Sequence, residues 1–314
     1  MRRWVFVAAL LASSACTARS DESSVTVMEE TGAEETGAEA VGQSEAVVVA
    51  SFDFAESRIV AEIYAQALED EGITVDRQLG LGPRELVAPA LRQGFVDVVP
   101  EYAGSALDAV APGAEVDRND VTAVVDELAG TVDAWGLDVL QPSTASNQNV
   151  VAVTADTATE RGVAATSDLE PIASSLTLGG PPECPVRPRC LLGLEEVYGL
   201  GFDSFVPLAS EELVRRALDD GVIDVGVLFS TDAALAGNAL VVLRDDRRLQ
   251  PADNIVPLVR SGALDDRAIA ALDEVSAQLT TSNLRFLNWR VANAGHGQIA
   301  EARAWLLRHD LISR

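Results

Sequence analysis

Residues 85–102 read ELVAPALRQGFVDVVPEY, and residues 212–229 read ELVRRALDDGVIDVGVLF. At one constant offset, Glu85, Leu86, Val87, Ala90, Leu91, Gly94, Asp97 and Val98 meet Glu212, Leu213, Val214, Ala217, Leu218, Gly221, Asp224 and Val225. Each copy has apolar residues at helical spacing, then a Gly where a helix would stop, then a short β-branched run. The first run ends on Tyr102 and the second on Phe229. Two α/β halves that present equivalent strand ends predict a ligand held between two lobes.

Outward from this echo the chain reads as strands alternating with helices. Residues 46–52, AVVVASF, have strand length, and Asp53 with Glu56 three residues on fits a helix cap with its reciprocal acid. Ile59, Val60, Ile63, Tyr64, Ala67 and Leu68 recur at helical spacing up to Gly72, a strand is expected over 73–79, and 80–83 form a loop. Such alternation implies parallel strands with crossover helices. Ligands of such sheets sit beyond the strands' carboxyl ends, where helix N-termini also point. Asp53, Phe54, Gly82, Pro83, Arg84 and Tyr102 fall there. A helix follows over 118–135, and 142–147 reads as a crossing segment. A second α/β series begins at Val150, 244–251 reads as the return crossing, and three helices close the chain over 265–279, 281–292 and 298–307. The expected organisation is one lobe of 46–145 with 250–314 and a second of 146–249. Two crossings between them make a hinge that lets the lobes close on a ligand.

The net charge of −26 argues against a nucleic-acid partner, because phosphate binding needs a basic surface. Every basic side chain apart from two His is Arg; without Lys, Schiff-base chemistry and a Lys-based phosphate loop are excluded. The first sixteen residues, MRRWVFVAALLASSAC, form a secretory signal peptide: a charged start, an apolar run too short to span a membrane as a mature helix, and small residues before Cys16. Cys16 reads as a lipidation site like that of bacterial lipoproteins, although Ser13 replaces the usual Leu; the alternative is a soluble exported protein with an incidental Cys. Residues 17–45 are acidic and contain ETGAE twice, the composition of a disordered tether. Cys184 and Cys190, in ECPVRPRC, are an even pair in one loop of an exported protein and are expected to form a disulfide. Zinc would need further ligands, and the two His, His296 and His309, lie in the terminal helical region. No metal or cofactor is expected.

SFDFAES (51–57), LGLGPREL (79–86), VDVVPEYAGSAL (96–107) and LFSTDAAL (228–235) resemble the substrate-binding proteins of glycine betaine, choline and carnitine ABC importers. The resemblance spans 47 to about 307. It implies a two-lobed periplasmic-binding-protein fold of the second type, delivery to permease and ATPase subunits, and a lipid anchor in Gram-positive members. It also implies a cage of aromatic rings around a quaternary ammonium, with Tyr102 and Phe229 among the rings; ring faces attract such a cation by roughly 0.5–2 kcal/mol each once water is excluded. Where the family has a Tyr in a piece like NTYALAV, this chain has Asn149, which suits a more polar amine or amino-acid derivative. Tyr198 is read as a further candidate ring or as a residue that packs its helix. Asp53 and Asp232 are read as partners for a cationic head or as helix caps, and Arg84 as exposed or as the partner of a ligand carboxylate.

The resulting expectation is a monomeric, non-enzymatic binding protein tethered to the membrane through a lipid, serving an ABC importer of a small solute. An exported enzyme lacks support: no Ser with a nearby His, His cluster or paired-carboxylate motif is present. A sensory module of the same fold remains the alternative.

Overall fold

The computed structural model describes residues 46–293 and 297–313. The signal peptide, Cys16 and the tether therefore lie outside the described residues, as does His296. In chain order the elements are β1 (Val47–Phe52), α1 (Ala55–Asp70), β2 (Val75–Gly82), α2 (Arg84–Arg92), β3 (Val98–Tyr102), α3 (Ala103–Val110), α4 (Val121–Asp133), β4 (Leu137–Val139), β5 (Asn149–Thr154), α5 (Ala155–Arg161), β6 (Thr177–Gly180), α6 (Leu191–Tyr198), β7 (Ser204–Pro207), α7 (Glu211–Asp219), β8 (Val225–Phe229), β9 (Leu240–Val242), β10 (Ile255–Arg260), α8 (Asp266–Gln278), α9 (Thr281–Asn293) and α10 (Gln298–Arg308).

The strands form two five-stranded sheets with the orders β2-β1-β3-β10-β4 and β7-β6-β8-β5-β9. In the first, β1 runs parallel to β2 and β3, while β10 is antiparallel to β3 and β4. The second repeats this pattern: β6 is parallel to β7 and β8, and β5 is antiparallel to β8 and β9. This is the two-lobed type 2 periplasmic-binding-protein fold. Its central strands are buried on both faces, which explains the apolar starts of VVVASF and VVPEY. One continuous core underlies the first sheet, where α1 packs on α8 and α10. The second sheet separates two smaller cores, and the Cys184–Cys190 disulfide belongs to the one that holds Tyr198.

The echo is a shared piece of structure. α2 and α7 end in the same turn, with Gly94 and Gly221 at φ 75° and 68°. The Phe95 amide donates to the Ala90 carbonyl as that of Val222 does to Ala217, and Gly94 to Leu91 as Gly221 does to Leu218. A side chain bearing Cβ resists that left-handed turn, so Gly recurs. The echoed acids also match. Asp97 accepts the Val48 amide at 2.9 Å and Asp224 the Thr177 amide at 2.8 Å, each tying its own strand to the start of the neighbouring parallel one.

Several expected boundaries shift. β2 runs through Gly82, so residues 80–82 are strand and not loop. α4 begins at Val121, because Asp120 accepts the amides of Thr122 and Ala123 and caps it there. The expected cap at Asp53 is absent. α1 starts after Phe54 with no side-chain cap, and Ser57 Oγ instead accepts the Phe52 amide. Glu56 is turned into the cleft.

Candidate functional site

A cleft of about 720 Å³ lies where the two sheets' strand ends meet. The turn after β1 supplies Phe52, Asp53, Phe54, Ala55 and Glu56; the turn after β2 supplies Pro83, Arg84 and Glu85; the end of β3 and the start of α3 supply Tyr102 and Ser105. The crossing segments contribute Asn147 and Asp253. The second sheet's side contributes Glu211, Phe229, Thr231 and Asp232, and α9 contributes Asn288, Val291 and Ala292. The helix N-termini of α1, α2, α3 and α7 all lie at this edge, as expected for parallel strands feeding crossover helices.

The aromatic part is continuous. Phe52 and Phe54 stack at 5.9 Å between ring centroids, and Phe54 meets Tyr102 at 5.9 Å with the rings tilted. Phe54 and Phe229, both lining the cleft, are 42% and 46% exposed. Tyr102 is buried, and its hydroxyl donates to Glu56 Oε1 at 2.8 Å. Burial, then the adjacent Glu56 carboxylate, raises the Tyr102 phenol well above its usual value.

Glu56 organises the floor. Its Oε1 also accepts Asn147 Nδ2 at 3.0 Å, and its Oε2 accepts Asn288 Nδ2 at 2.7 Å. One buried carboxylate thus joins the ring of the first sheet, the crossing segment and α9. Arg84 forms a two-pronged ion pair with the buried Glu101, at 2.7 and 2.9 Å, and its guanidinium lies 5.4 Å from the Phe52 ring. The expectation of an exposed Arg84 is therefore corrected: Glu101 is buried beside it, and leaving that carboxylate unpaired would cost several kcal/mol. Ser105 donates to Asp253 through its amide at 2.8 Å and its hydroxyl at 2.7 Å. Burial pushes the Asp253 carboxyl up to about 6 despite those donors.

Asp232 does not cap the short turn that follows it; its Oδ2 accepts the Phe229 amide at 2.7 Å and so holds that ring in place. Burial, and then a hydrogen bond with Glu211 and that group's charge, push the Asp232 carboxyl up to about 9. Arg285 donates twice to the Ser230 carbonyl beside it, at 3.0 and 2.7 Å.

Of the expected binding residues, Asp53, Phe54, Pro83, Tyr102, Phe229 and Asp232 line this cleft. Asn149, Gly82 and Tyr198 do not. Asn149 stands opposite Phe229 in the ladder, but its amide donates to the Arg189 carbonyl at 3.0 Å. Gly82 lies buried at the end of β2, with Leu86 against it. Tyr198 is fully buried in the second sheet's core, its hydroxyl donates to Asp245, and Arg247 covers its ring. Glu56, Asn147, Glu211, Asp253 and Asn288 were not expected as a group. Glu56 carried only a cap-like spacing, and nothing local marks Asn288, which reaches Glu56 across 232 positions of sequence.

Comparison with known proteins identifies the family. The family described as the substrate binding domain of ABC-type glycine betaine transport systems matches residues 45–308. A glycine-betaine-binding protein of Pseudomonas aeruginosa is 29% identical over 284 residues, which cover 87% of this chain and 90% of that protein. The glycine betaine-binding protein YehZ of Escherichia coli is 26% identical over 258 residues, covering 76% and 83%. The crystal structure of a glycine betaine/carnitine/choline ABC transporter protein superposes with a TM-score of 0.79 over 85% of this chain and 100% of its own, at 21% identity, a likeness of fold. With its two equivalent sheets and a shared cleft at their strand ends, the chain belongs to the family of substrate-binding domains of ABC-type glycine betaine transport systems.

Proposed function

We propose that this protein is the extracytoplasmic binding component that captures a small quaternary-ammonium or related compatible solute, of glycine betaine, choline or carnitine type, and hands it to the permease and ATPase of an ABC importer. The observation that carries the reading is that Phe54 and Tyr102 from one sheet and Phe229 from the other line a single acidic cleft. A quaternary ammonium keeps its charge at every pH and donates no conventional hydrogen bond. Ring faces and nearby carboxylates are the groups that attract it. The chain has no catalytic role in this reading. It acts as a monomer whose lobes, 46–145 with 250–314 and 146–249, close about the crossings near Asn147 and Asp253. Cys16 carries the lipid that holds it at the membrane; the apolar run and small residues before it support this. Among the described residues no helix is long and apolar enough to cross a membrane.

Calorimetric titration with glycine betaine, choline, carnitine and proline betaine tests the reading. At least one should bind, and Tyr102→Ala should abolish that binding. No heat from any of the four with a folded protein would overturn it. A Cys16→Ser variant should leave the membrane fraction; retention there would remove the anchor from the proposal.

A further inference from the structure

The cleft carries an imbalance of hydrogen-bonding groups. Asn147 and Asn288 both point their Nδ2 groups at Glu56, and Asn288 Nδ2 also donates to the Thr231 carbonyl at 2.9 Å. That carbonyl can only accept, so the Asn288 amide is held one way round. Both Oδ1 atoms are left shielded from solvent with no protein partner among the described residues, in side chains that line the cleft. Buried acceptors are ordinarily paired, and leaving one unpaired is costly. A ligand that donates hydrogen bonds would satisfy them. Betaine's trimethylammonium and carboxylate donate none.

Charge points the same way. Asp53, Glu56, Glu85, Glu211 and Asp253 line the cleft, and the one guanidinium among its lining residues, Arg84, is already paired with Glu101. Helix N-termini attract anions. Here Glu56 and Glu85 occupy the first turns of α1 and α2, Asp253 accepts from the first turn of α3, and Glu211 occupies the first turn of α7. Each N-terminus facing the cleft thus has a carboxylate of the protein in or against its first turn, and a ligand carboxylate would compete with these.

Resting on the reading of the cleft as a quaternary-ammonium site, we propose that its preferred ligand is a net-positive ammonium bearing a hydrogen-bond donor, of the choline or amino-alcohol type, with Asn288 Oδ1 accepting from its hydroxyl and the Phe54 and Phe229 faces taking the cation. A zwitterionic betaine is then the poorer ligand.

The test is calorimetry on the exported protein with choline, choline methyl ether and glycine betaine. The ether keeps the charge and the oxygen of choline and replaces its donor hydrogen by a methyl group. Choline should bind at least about tenfold more tightly than either of the others, the usual penalty for a buried polar group left unpaired. In Asn288→Ala the gap between choline and its ether should close to within about threefold. The comparison in the unaltered protein stands even if the variant fails to fold. Glycine betaine binding as tightly as choline, or the ether matching choline, would overturn this proposal and leave the quaternary-ammonium reading standing. No binding of any of the three would overturn this proposal, and the quaternary-ammonium reading with it only if carnitine and proline betaine also fail to bind.

Discussion

The two copies of the echo reach the cleft on the same backbone and do different things there. β3 ends on Tyr102, which is 6% exposed, packed on Phe54 and bonded to Glu56. β8 ends on Phe229, 46% exposed, set by its own amide against Asp232. The first sheet's side is thus a pre-assembled half-site, with three rings in contact over a carboxylate that accepts from the first lobe, the crossing and α9. The second sheet's side offers one ring and two acids. What the difference teaches is that the repeat conserves the scaffold and leaves each strand end free to specialise, because the helix stop and the strand-tying Asp fix the backbone while the terminal side chain points off it. In such an arrangement the rigid side positions a ligand and the sparser side completes the enclosure.

The comparison breaks most readily at Glu56. In Glu56→Ala three side-chain donors lose their acceptor; at about 1–3 kcal/mol each before relaxation, a loss of about 3–5 kcal/mol in urea unfolding is expected, with ligand binding abolished. A loss under about 1 kcal/mol would mean the first half-site is not pre-assembled. The paired acids of the echo sharpen the comparison at the scaffold level. Asp97 also holds Arg260, at 2.6 Å, whereas the Asp224 carboxylate accepts the Thr177 amide and pairs with no Arg among the described residues. Asp97→Ala should therefore cost about 2–3 kcal/mol and Asp224→Ala about 1 kcal/mol; equal midpoints would remove that distinction. The exposed rings come next. Phe54→Ala and Phe229→Ala should each weaken ammonium binding by about 0.5–2 kcal/mol. Only Phe54→Ala should also lower the unfolding midpoint, since Phe54 alone of the two packs against neighbouring rings.

The smallest effect is a pH dependence. Asp232 sits at about 9, facing Glu211, Glu56, Arg285 and the Phe229 amide. At neutral pH it holds a proton. A cation bound beside it favours the carboxylate, so binding expels the proton, and raising the pH removes that proton beforehand. Affinity should rise by about twofold to tenfold between pH 7 and 9 and level off above that. Titrations in buffers of different ionisation enthalpy would show proton release. Affinity that falls over this range, or proton uptake, would remove Asp232 from contact with the cation. Asp232→Asn should flatten the profile.

Much of the scaffold was readable along the chain. The closing helices, the strands around Val47 and Val225 and the equivalence of residues 85–102 with 212–229 follow from apolar period, a stop glycine and β-branched runs, all of which act over a few residues. The cap at Asp53 was misread for a related reason. Asp53 and Glu56 have a capping spacing, but Tyr102, Asn147 and Asn288 compete for Glu56 from far away in sequence and win it. The placements of Tyr198 and Asn149 are not local either, because burial of a ring and pairing of an amide depend on which surface packs on them. Tyr198 falls against Asp245 and Arg247, and Asn149 against Arg189.

By itself the sequence determined the alternation of strand and helix, the repeat, the strand ends that carry Tyr102 and Phe229, and the pairing of Cys184 with Cys190. These depend on local periodicity, on backbone conformations open to Gly, and on two thiols six positions apart. Only the tertiary structure decided that α9 and both crossings supply the floor of the cleft, that Arg84 belongs to Glu101, and that the Asn147 and Asn288 amide oxygens have no protein partner among the described residues. Those outcomes depend on which distant polar groups are buried together, where each must find a partner or meet one in the ligand.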